Sequence, residues 1–302
     1  MTNVSKRLRT RLDQDFLVFP PVVKQALVST DGTIKFLLGL ADNKVIESVI
    51  IPAGDHYTQC ISTQVGCPLG CLFCSTGKMG FERNLSSGEI AGQVISARHF
   101  LGEHNHPLPL SNLVFMGMGE PLLNWPQVKK ALGMIRSPYA LNFSRRKVTL
   151  SSAGVRDKLA EFGRSKLALT AISLHAPEQS LRKMLMPSAA GYELDDLISC
   201  LENFPLAPRE RITIEYVMLK GINDSLSHAR DLVRILSRVK CKINLLRYNP
   251  DHEPGLESSD DQTIEAFQDL LISRGFTVML RKSMGADIFA ACGQLKASKS
   301  NN

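Results

Sequence analysis

Three cysteines lie close together in the segment GCPLGCLFCSTG, where Cys67, Cys71 and Cys74 have the spacing C-x3-C-x2-C. Three thiolates on one tight loop can bind three irons of a [4Fe–4S] cluster, which leaves the fourth iron open for a substrate. A structural zinc site is the alternative. Zinc takes four closed ligands, mostly from paired C-x2-C spacings, and its fourth ligand here would have to come from a distant His or Cys. The spacing therefore favours an open iron–sulfur cluster.

A glycine-rich segment, MGMGEP at residues 116–121, resembles the motif that binds the amino group of S-adenosylmethionine (SAM) in radical SAM enzymes. SAM can chelate an open iron through its amino and carboxylate groups, and an electron from the cluster then cleaves its sulfonium to a radical. Phe73 resembles the aromatic residue common before the third cysteine of such enzymes. A plain tight turn is the alternative for an isolated Gly-rich segment, but its place after a cysteine trio favours SAM binding.

These groups need a scaffold, and from about residue 58 short β-rich runs alternate with helical patterns. The runs are TQCISTQV, SNLVFMGMG, RKVTLSS, LALTAISLHA, RITIEYVML, CKINLLRY and FTVMLRK. Six such β/α units predict an α/β fold with a partial (β/α)6 TIM-like barrel. Ser86–Glu89 predicts a capped helix start. We expect three regions: an N-terminal segment with a β-hairpin (1–52), the barrel (53–281) and a C-terminal loop (282–302).

The candidate groups follow the predicted strands in a consistent way. Cys67–Cys74 follow strand 1, Gly117–Glu120 end strand 2, Ser151 ends strand 3, Ser173–His175 end strand 4, and Asn249 follows strand 6. Barrel chemistry collects at the carboxyl ends of strands, so we expect all of these groups at one barrel mouth.

The N-terminal region is predicted as a helix or short stub over residues 1–30, followed by a hairpin centred on Asp42-Asn43 that flanks the barrel. The tail KASKSNN is expected to fray.

The other cysteines leave more than one interpretation open. Seven cysteines at uneven spacing do not suggest a disulfide framework. Cys200 and Cys241 are predicted to be small buried hydrophobic residues. Cys60 and Cys292 could be the same, but Cys292 lies after the last strand, in a segment able to fold over the barrel mouth.

Charge gives supporting information only. Lys and Arg total 36 against 29 for Asp and Glu, a net charge of +7, which suits an RNA partner and equally suits a slightly basic cytosolic protein. No signal-like or membrane-spanning apolar run is present, which predicts a cytoplasmic protein without a membrane partner. The barrel offers four basic stretches to an RNA partner, and for any one of them a solvated face is the alternative: Arg145-Arg146-Lys147, Arg164 and Lys166, Arg182-Lys183, and Arg281-Lys282. An RNA base that enters the barrel would predict a positive rim around the barrel mouth.

Long motifs from about Val45 to Leu295 resemble one family, the radical SAM adenine-C2 RNA methyltransferases of the RlmN type, related to the Cfr adenine-C8 methyltransferases. They include QCISTQVGCPLGCLFCSTG, FMGMGEPLLN, RRKVTLSSAGV, TIEYVMLKGIND and RKSMGADIFAACGQL. The family usually carries an N-terminal accessory helical domain, and about 30 residues precede the hairpin here, so we expect a short form lacking most of that domain.

The resemblance implies a role for each matching residue. The implied ligands of one [4Fe–4S] cluster are Cys67, Cys71 and Cys74. The implied SAM contacts are Gly119, Glu120, Ser151, Ser173, Leu174, His175 and Asn249. Cys292 matches the cysteine that is methylated during turnover, Cys60 its disulfide partner and Glu47 the proton acceptor.

The family mechanism uses two SAM per turnover, because C2 of adenine is not nucleophilic. One SAM methylates Cys292, and a second generates the radical that converts the S-methyl group into a methylene radical that adds to the adenine. Loss of the C2 proton and attack by Cys60 release the product and leave a disulfide. External reductant then resets the pair.

The implied substrates are adenine 2503 of 23S rRNA and adenine 37 of tRNA, and the implied electron donor is a flavodoxin or ferredoxin. CSTG, GFERNL and GEPLLN favour C2 over C8, and we expect a monomer. A C8-methyltransferase, a radical SAM enzyme with a non-RNA substrate and a non-catalytic RNA-binding or zinc-stabilised module remain as alternatives.

Overall fold

The computed structural model describes residues 4–15, 20–250 and 255–297 of the chain. Its helices are α1 (Lys6–Asp15), α2 (Ser75–Lys78), α3 (Ser87–Glu103), α4 (Trp125–Arg136), α5 (Arg156–Ser165), α6 (Gln179–Leu185), α7 (Leu194–Glu202), α8 (Leu226–Leu236) and α9 (Asp261–Ser273). Its strands are β1 (Val22–Val28), β2 (Ile34–Gly39), β3 (Val45–Ala53), β4 (His56–Cys60), β5 (Gln64–Gly66), β6 (Phe81–Asn84), β7 (Leu110–Phe115), β8 (Val148–Ser152), β9 (Leu169–Ser173), β10 (Ile212–Met218), β11 (Cys241–Arg247) and β12 (Val278–Arg281).

One sheet carries the fold. Within the described ranges its order is β1-β2-β3-β4-β7-β8-β9-β10-β11-β12, and β1 and β12 are its open edges. The strands from β4 to β12 in this order run parallel, and six of them are followed by helices, which confirms the predicted partial α/β barrel.

The elements form where the sequence pattern predicts them. Strand β10 is apolar almost throughout and every residue in it is buried, as expected for a parallel strand covered on both faces. Helix α3 begins with the predicted capping box, in which Ser86 Oγ accepts from the Glu89 amide and the Glu89 carboxylate accepts from the Ser86 amide.

The N-terminal region differs from the prediction. Helix α1 fits the predicted helical stub, and β2 and β3 form the predicted hairpin, with Asn43 at a φ of 64° in its turn. Strand β1 was not predicted and pairs with β2. The hairpin also does more than flank the barrel, because β3 pairs antiparallel with β4 and so extends the barrel sheet.

Several smaller elements were also missed. Strands β5 and β6 form a separate two-stranded sheet around the cysteine loop, and the short helices α2 and α6 were not predicted. No helix in the described part of the chain is long and apolar enough to cross a membrane.

The C-terminal segment, residues 282–297, crosses from β12 to the opposite edge of the sheet. The Asp287 carboxylate accepts from Ser29 Oγ at 2.6 Å, and the Lys296 amide donates to Glu47 at 2.8 Å. Ala297 is buried, so the prediction of a frayed tail is wrong for Lys296 and Ala297; residues 298–302 lie outside the described ranges. This segment therefore bridges the open side of the barrel.

Candidate active site

The cysteine loop lies between β5 and α2. The Cys67 amide donates to the carbonyl of Gly80 at 2.7 Å, and the Cys74 amide donates to the carbonyl of Cys71 at 3.1 Å. Gly66 has a φ of 75°, and a Cβ there would lie 2.0 Å from the Gly80 oxygen, so this turn requires glycine. The backbone thus holds all three cysteines on one compact loop.

The three thiols lie in a common, poorly solvated environment. Burial and the neighbouring Cys74 together raise the pKa of Cys67 to about 12 and that of Cys71 well above its ordinary value. Arg182 is fully buried and its charge lowers the pKa of Cys71. Thiols with raised pKa values need a nearby cation to ionise, and the iron ions of a cluster would supply that positive charge. Thiolates are soft ligands, and they are the donors that iron–sulfur clusters use.

The segment after β7 is held against the loop before β5 and the end of β8. Gly119 has a φ of 96°, and a Cβ there would lie 2.5 Å from that of Gln64. The buried Glu120 accepts from the Ala153 amide at 2.8 Å and the Leu122 amide at 3.0 Å. Burial raises the pKa of Glu120, opposed by these hydrogen bonds. Glu120, a predicted SAM contact, therefore also holds the segment after β7 to the end of β8, because its carboxylate binds backbone amides there.

Two further predicted SAM contacts end neighbouring strands. Ser151 Oγ and Ser173 Oγ are 3.4 Å apart, on β8 and β9. His175 has a φ of 58°, and its Nδ1 accepts from the Val217 amide at 3.0 Å. Burial, with the charge of Arg182, lowers the pKa of His175 to about 3, so its ring is neutral.

One more of the predicted SAM contacts, Leu174, lies beside these groups. Leu174 is fully buried next to His175, and its amide donates to the Glu215 carbonyl at 3.1 Å. The His175 ring packs edge-on against Phe73 of the cysteine loop, with 4.6 Å between ring centroids. The ends of β8 and β9 thus face the cysteine loop.

Cys60 and Cys292 are 232 residues apart in sequence, and the fold brings their thiols close enough to interact through charge. Cys60 ends β4 and is buried, and burial followed by the charge of Cys292 raises its pKa. Burial, the charge of Glu215 and the charge of Cys74 together raise the pKa of Cys292 to about 11, and Arg281 opposes the shift. Cys292 is exposed, so a substrate can reach it.

The backbone fixes Cys292 in this place. Asn249 Nδ2, after β11, donates to the Cys292 carbonyl at 3.3 Å. The amide of Ser75, in α2, donates to the Gly293 carbonyl at 2.7 Å, and Thr76 Oγ1 donates to the Leu295 carbonyl at 2.6 Å. Cys292 is therefore docked on the helix that follows the cysteine trio.

Glu47 lies on the same face of the sheet as Cys60, because Val49 pairs with Cys60 and Glu47 is two residues before Val49. Such diagonal neighbours are typically about 7–8 Å apart. Lys35 Nζ lies 3.2 Å from Glu47 Oε1. Burial raises the pKa of Glu47, and Lys35 opposes the shift. The hairpin thus brings a carboxyl group with a raised pKa to the two cysteines.

Glu215 was not predicted and belongs to the site. It is buried on β10, pairs in register with Ser173, and accepts from Asn244 Nδ2 at 3.0 Å. Burial raises its pKa to about 7. Asn244 Oδ1 has no hydrogen-bond partner among the described residues, which leaves an acceptor for a bound molecule. The only sequence signal was one acidic residue inside the apolar run ITIEYVM.

The predicted basic rim is largely wrong. Arg145–Lys147 immediately precede β8, and Lys166 lies just before β9, so both stretches are at the end of the barrel opposite the mouth. Arg182 is buried and donates to the carbonyls of Ala153 and Ala189, so it is not available to RNA at the surface. Arg281 and Lys282 do follow β12 at the mouth end.

Of the remaining cysteines, Cys241 is buried as predicted and Cys200 is only half-buried. Cys241 is buried in the main core and Cys200 packs against it. Among the described residues, no group of three or more His, Cys, Asp or Glu side chains is arranged to hold a single metal ion.

Comparisons with known proteins place this geometry in a family. The model of the radical SAM superfamily matches residues 61–233. The dual-specificity RNA methyltransferase RlmN of Solidesulfovibrio magneticus is 52% identical over 299 residues, which cover 98% of this chain and 85% of that protein. The RlmN of Nitratidesulfovibrio vulgaris strain DP4 is 51% identical over 306 residues, with 99% and 84% covered.

A solved structure agrees with these matches. The crystal structure of a radical SAM methyltransferase from Sphaerobacter thermophilus superposes with a TM-score of 0.92 at 35% identity, covering 98% of this chain and 87% of that chain. The chain therefore belongs to the RlmN family of dual-specificity RNA methyltransferases within the radical SAM superfamily, and it is a SAM-dependent methyltransferase whose cofactors are a [4Fe–4S] cluster and SAM.

Proposed function

We propose that this enzyme methylates C2 of adenine in RNA, at adenine 2503 of 23S rRNA and adenine 37 of tRNA, through a methyl group carried on Cys292. The observation that carries the proposal is the docking of the Cys292 segment on the helix after the cysteine trio, with Cys60 near enough to Cys292 for their charges to interact. A radical SAM fold alone does not require this pair of thiols.

In this proposal Cys67, Cys71 and Cys74 hold the cluster, and the groups at the ends of β7, β8, β9 and β11 hold SAM. These are Gly119, Glu120, Ser151, Ser173, Leu174, His175 and Asn249. When bound, the cluster and SAM supply a methyl group and a radical that removes a hydrogen atom. The protein's own residues carry and release the carbon unit.

Cys292 accepts the methyl group once its thiol has lost a proton, and it then joins the adenine through that carbon. Its accessibility at the mouth allows an extruded base to approach. Glu47 takes the proton from C2 of the adduct, since a raised pKa makes its carboxylate a stronger base than an ordinary glutamate.

Cys60 then attacks the Cys292 sulfur as a thiolate. The bond between that sulfur and the transferred carbon breaks, the carbon takes up a proton as methyladenine leaves, and a Cys60–Cys292 disulfide forms. The unpaired electron that the radical brought into the adduct would return to the cluster when it is bound. The burial of Cys60 protects this thiol from other reactions until the adduct is in place. An external reductant restores both thiols.

The proposal includes two partners, an electron donor and the RNA substrate. A flavodoxin or ferredoxin supplies the electron. The enzyme works as a monomer in the cytoplasm, where thiols stay reduced. The family relationship supports the RNA substrate, since the related proteins are named as RNA methyltransferases.

The test is anaerobic reaction with 23S rRNA and tRNA transcripts, followed by mass spectrometry of protein and nucleosides. We expect an S-methyl group on Cys292, 2-methyladenosine rather than 8-methyladenosine, and a covalent protein–RNA adduct in Cys60→Ala. Cys241→Ala is the control, because Cys241 is buried away from the mouth at the start of β11. A Cys292→Ala protein that still forms 2-methyladenosine would refute the mechanism.

A further inference from the structure

The end of the barrel opposite the mouth concentrates positive charge. Strands β8–β12 are parallel and adjacent, so the loops that precede them lie along one edge. These loops, residues 137–147, 166–168, 203–211, 237–240 and 274–277, contain nine Lys or Arg residues and one acidic residue, Glu210. Their net charge of +8 exceeds the +7 of the entire chain.

Hydrogen bonds between these loops make them one continuous surface. Arg145 forms a bidentate ion pair with Glu210, which joins the loops before β8 and β10. Lys166 donates to the Pro205 carbonyl, and Arg211 donates to Thr277 Oγ1 at 2.8 Å, which joins the loops before β10 and β12. These contacts join neighbouring loops, and the strands that follow the loops hold their ends. Together they fix the backbone positions of the remaining cations.

Most cations on this surface form no ion pair, and Asp55, in the turn before β4, interacts with Lys147 through its charge alone. Seven are exposed and form no ion pair with a described carboxylate. They are Arg146, Lys147, Arg209, Arg211, Arg238, Lys240 and Arg274, and we call them the basic face. Cations held close together in this way raise the local potential and attract a polyanion.

An aromatic residue points to the kind of polyanion. Tyr139 is 99% exposed in the loop that carries Arg146 and Lys147. Exposed aromatic rings beside cations are the surface on which single-stranded bases stack. An acidic protein partner would bind through the positive charges alone and would not require an exposed aromatic ring, so Tyr139 favours RNA as the partner.

We propose that the basic face binds part of the RNA substrate that is distant from the target adenine. The short RNA stem-loop around that adenine is called the target hairpin below, and the proposed contact lies outside it. The inference rests on the proposed function, since it takes the same RNA as partner. Strands of five to seven residues, such as β8 and β10, put about 15–23 Å between the mouth and this face. RNA that enters the mouth must pass the barrel edge to reach it, so a short hairpin makes little contact there.

The test compares two variants of the holoenzyme that each lose three exposed cations. The face variant is Arg146→Gln, Lys147→Gln and Lys240→Gln. The control variant is Lys130→Gln, Lys158→Gln and Arg230→Gln, on the outer surfaces of α4, α5 and α8. Binding of a 23S rRNA transcript and of its isolated target hairpin is measured against salt concentration.

Each lost phosphate contact lowers the slope of log K against log salt by about 0.7–0.9. For the face variant and the long transcript we expect the slope to fall by about 2–3, and the affinity at 0.1 M salt to fall roughly a hundredfold or more. The control variant should keep the parent slope, and hairpin binding should change little.

An unchanged slope in the face variant, or an equal loss in the control variant, overturns the proposal. Equal losses on transcript and hairpin also overturn it, since the contact would then lie within the hairpin. A face variant that binds RNA normally but no longer accepts electrons from an acidic flavodoxin assigns the face to a protein instead. A parent enzyme that binds the transcript but forms no 2-methyladenosine refutes the proposed function, while the slope still decides the role of the face.

Discussion

Replacing Glu215 by Gln should change how the stability of this enzyme depends on pH. Glu215 is buried on β10, and burial raises its pKa from 4.5 to about 7. Glutamine keeps the acceptor for Asn244 Nδ2 but cannot ionise. The variant therefore removes one titration while it leaves the packing of the barrel interior almost unchanged.

The direction follows from proton binding in the two states. Between pH 4.5 and about 7 Glu215 is ionised in the unfolded chain and protonated in the folded protein. The folded state binds more protons in that window, so the free energy of unfolding of the parent falls as pH rises. Below pH 4.5 the group is protonated in both states and has no effect.

The size follows from the shift of about 2.5 pKa units, since one unit corresponds to about 1.36 kcal/mol. Relative to the parent, Glu215→Gln should gain about 3 kcal/mol of stability between pH 4.5 and pH 7.5. For 302 residues this corresponds to roughly 5 °C in Tm.

The assay is urea or thermal unfolding of reduced, cluster-free protein at pH 4.5, 5.5, 6.5 and 7.5. Glu265→Gln on α9 is the matched control, since that glutamate is exposed and its substitution should give a constant difference. A Glu215→Gln difference that stays constant with pH, or that falls as pH rises, would refute the reasoning.

Two further substitutions test the loop and the hairpin. Gly66→Ala should abolish iron retention, measured as iron content after reconstitution, because the added Cβ would overlap the Gly80 carbonyl. Gly80→Ala is the control, since Gly80 has a similar φ but open space around it. That variant should lose only about 1–2 kcal/mol of stability and keep its iron. Lys35→Met should destabilise the protein by about 3–5 kcal/mol at pH 8, since it leaves buried Glu47 without its cation. The loss should shrink at low pH as Glu47 becomes protonated, and exposed Lys24→Met should show no such dependence in urea unfolding.

The sequence located the barrel mouth well, because the rule behind it is local. A residue that follows an apolar run lies at the carboxyl end of a strand whatever the curvature of the sheet. Ser151, Ser173 and His175 therefore converge in the structure as expected. The same rule places Arg145–Lys147 at the opposite end, because they begin the run RKVTLSS rather than end it. That signal was present in the sequence and was overlooked.

Other features depend on pairing that a single sequence does not specify. The pairing of β3 with β4 brings Glu47 to the face of Cys60, and no local pattern indicates which strand a hairpin will join. Arg182 has the same sequence context as an exposed helical arginine. It is buried because the carbonyls of Ala153 and Ala189, from distant segments, meet its guanidinium.

The docking of the C-terminal segment explains how the two halves of the site depend on each other. The segment contacts α2 through the Gly293 and Leu295 carbonyls, and α2 begins directly after Cys74. Gly293 has a φ of 85°, and a Cβ there would lie 2.8 Å from the Phe73 oxygen, so the segment approaches the cysteine loop backbone to backbone. Any rearrangement of that loop must move the hydrogen-bond partners that hold Cys292. The position of the Cys292 thiol is therefore set by the same backbone that presents Cys67, Cys71 and Cys74, and not by the barrel strands alone.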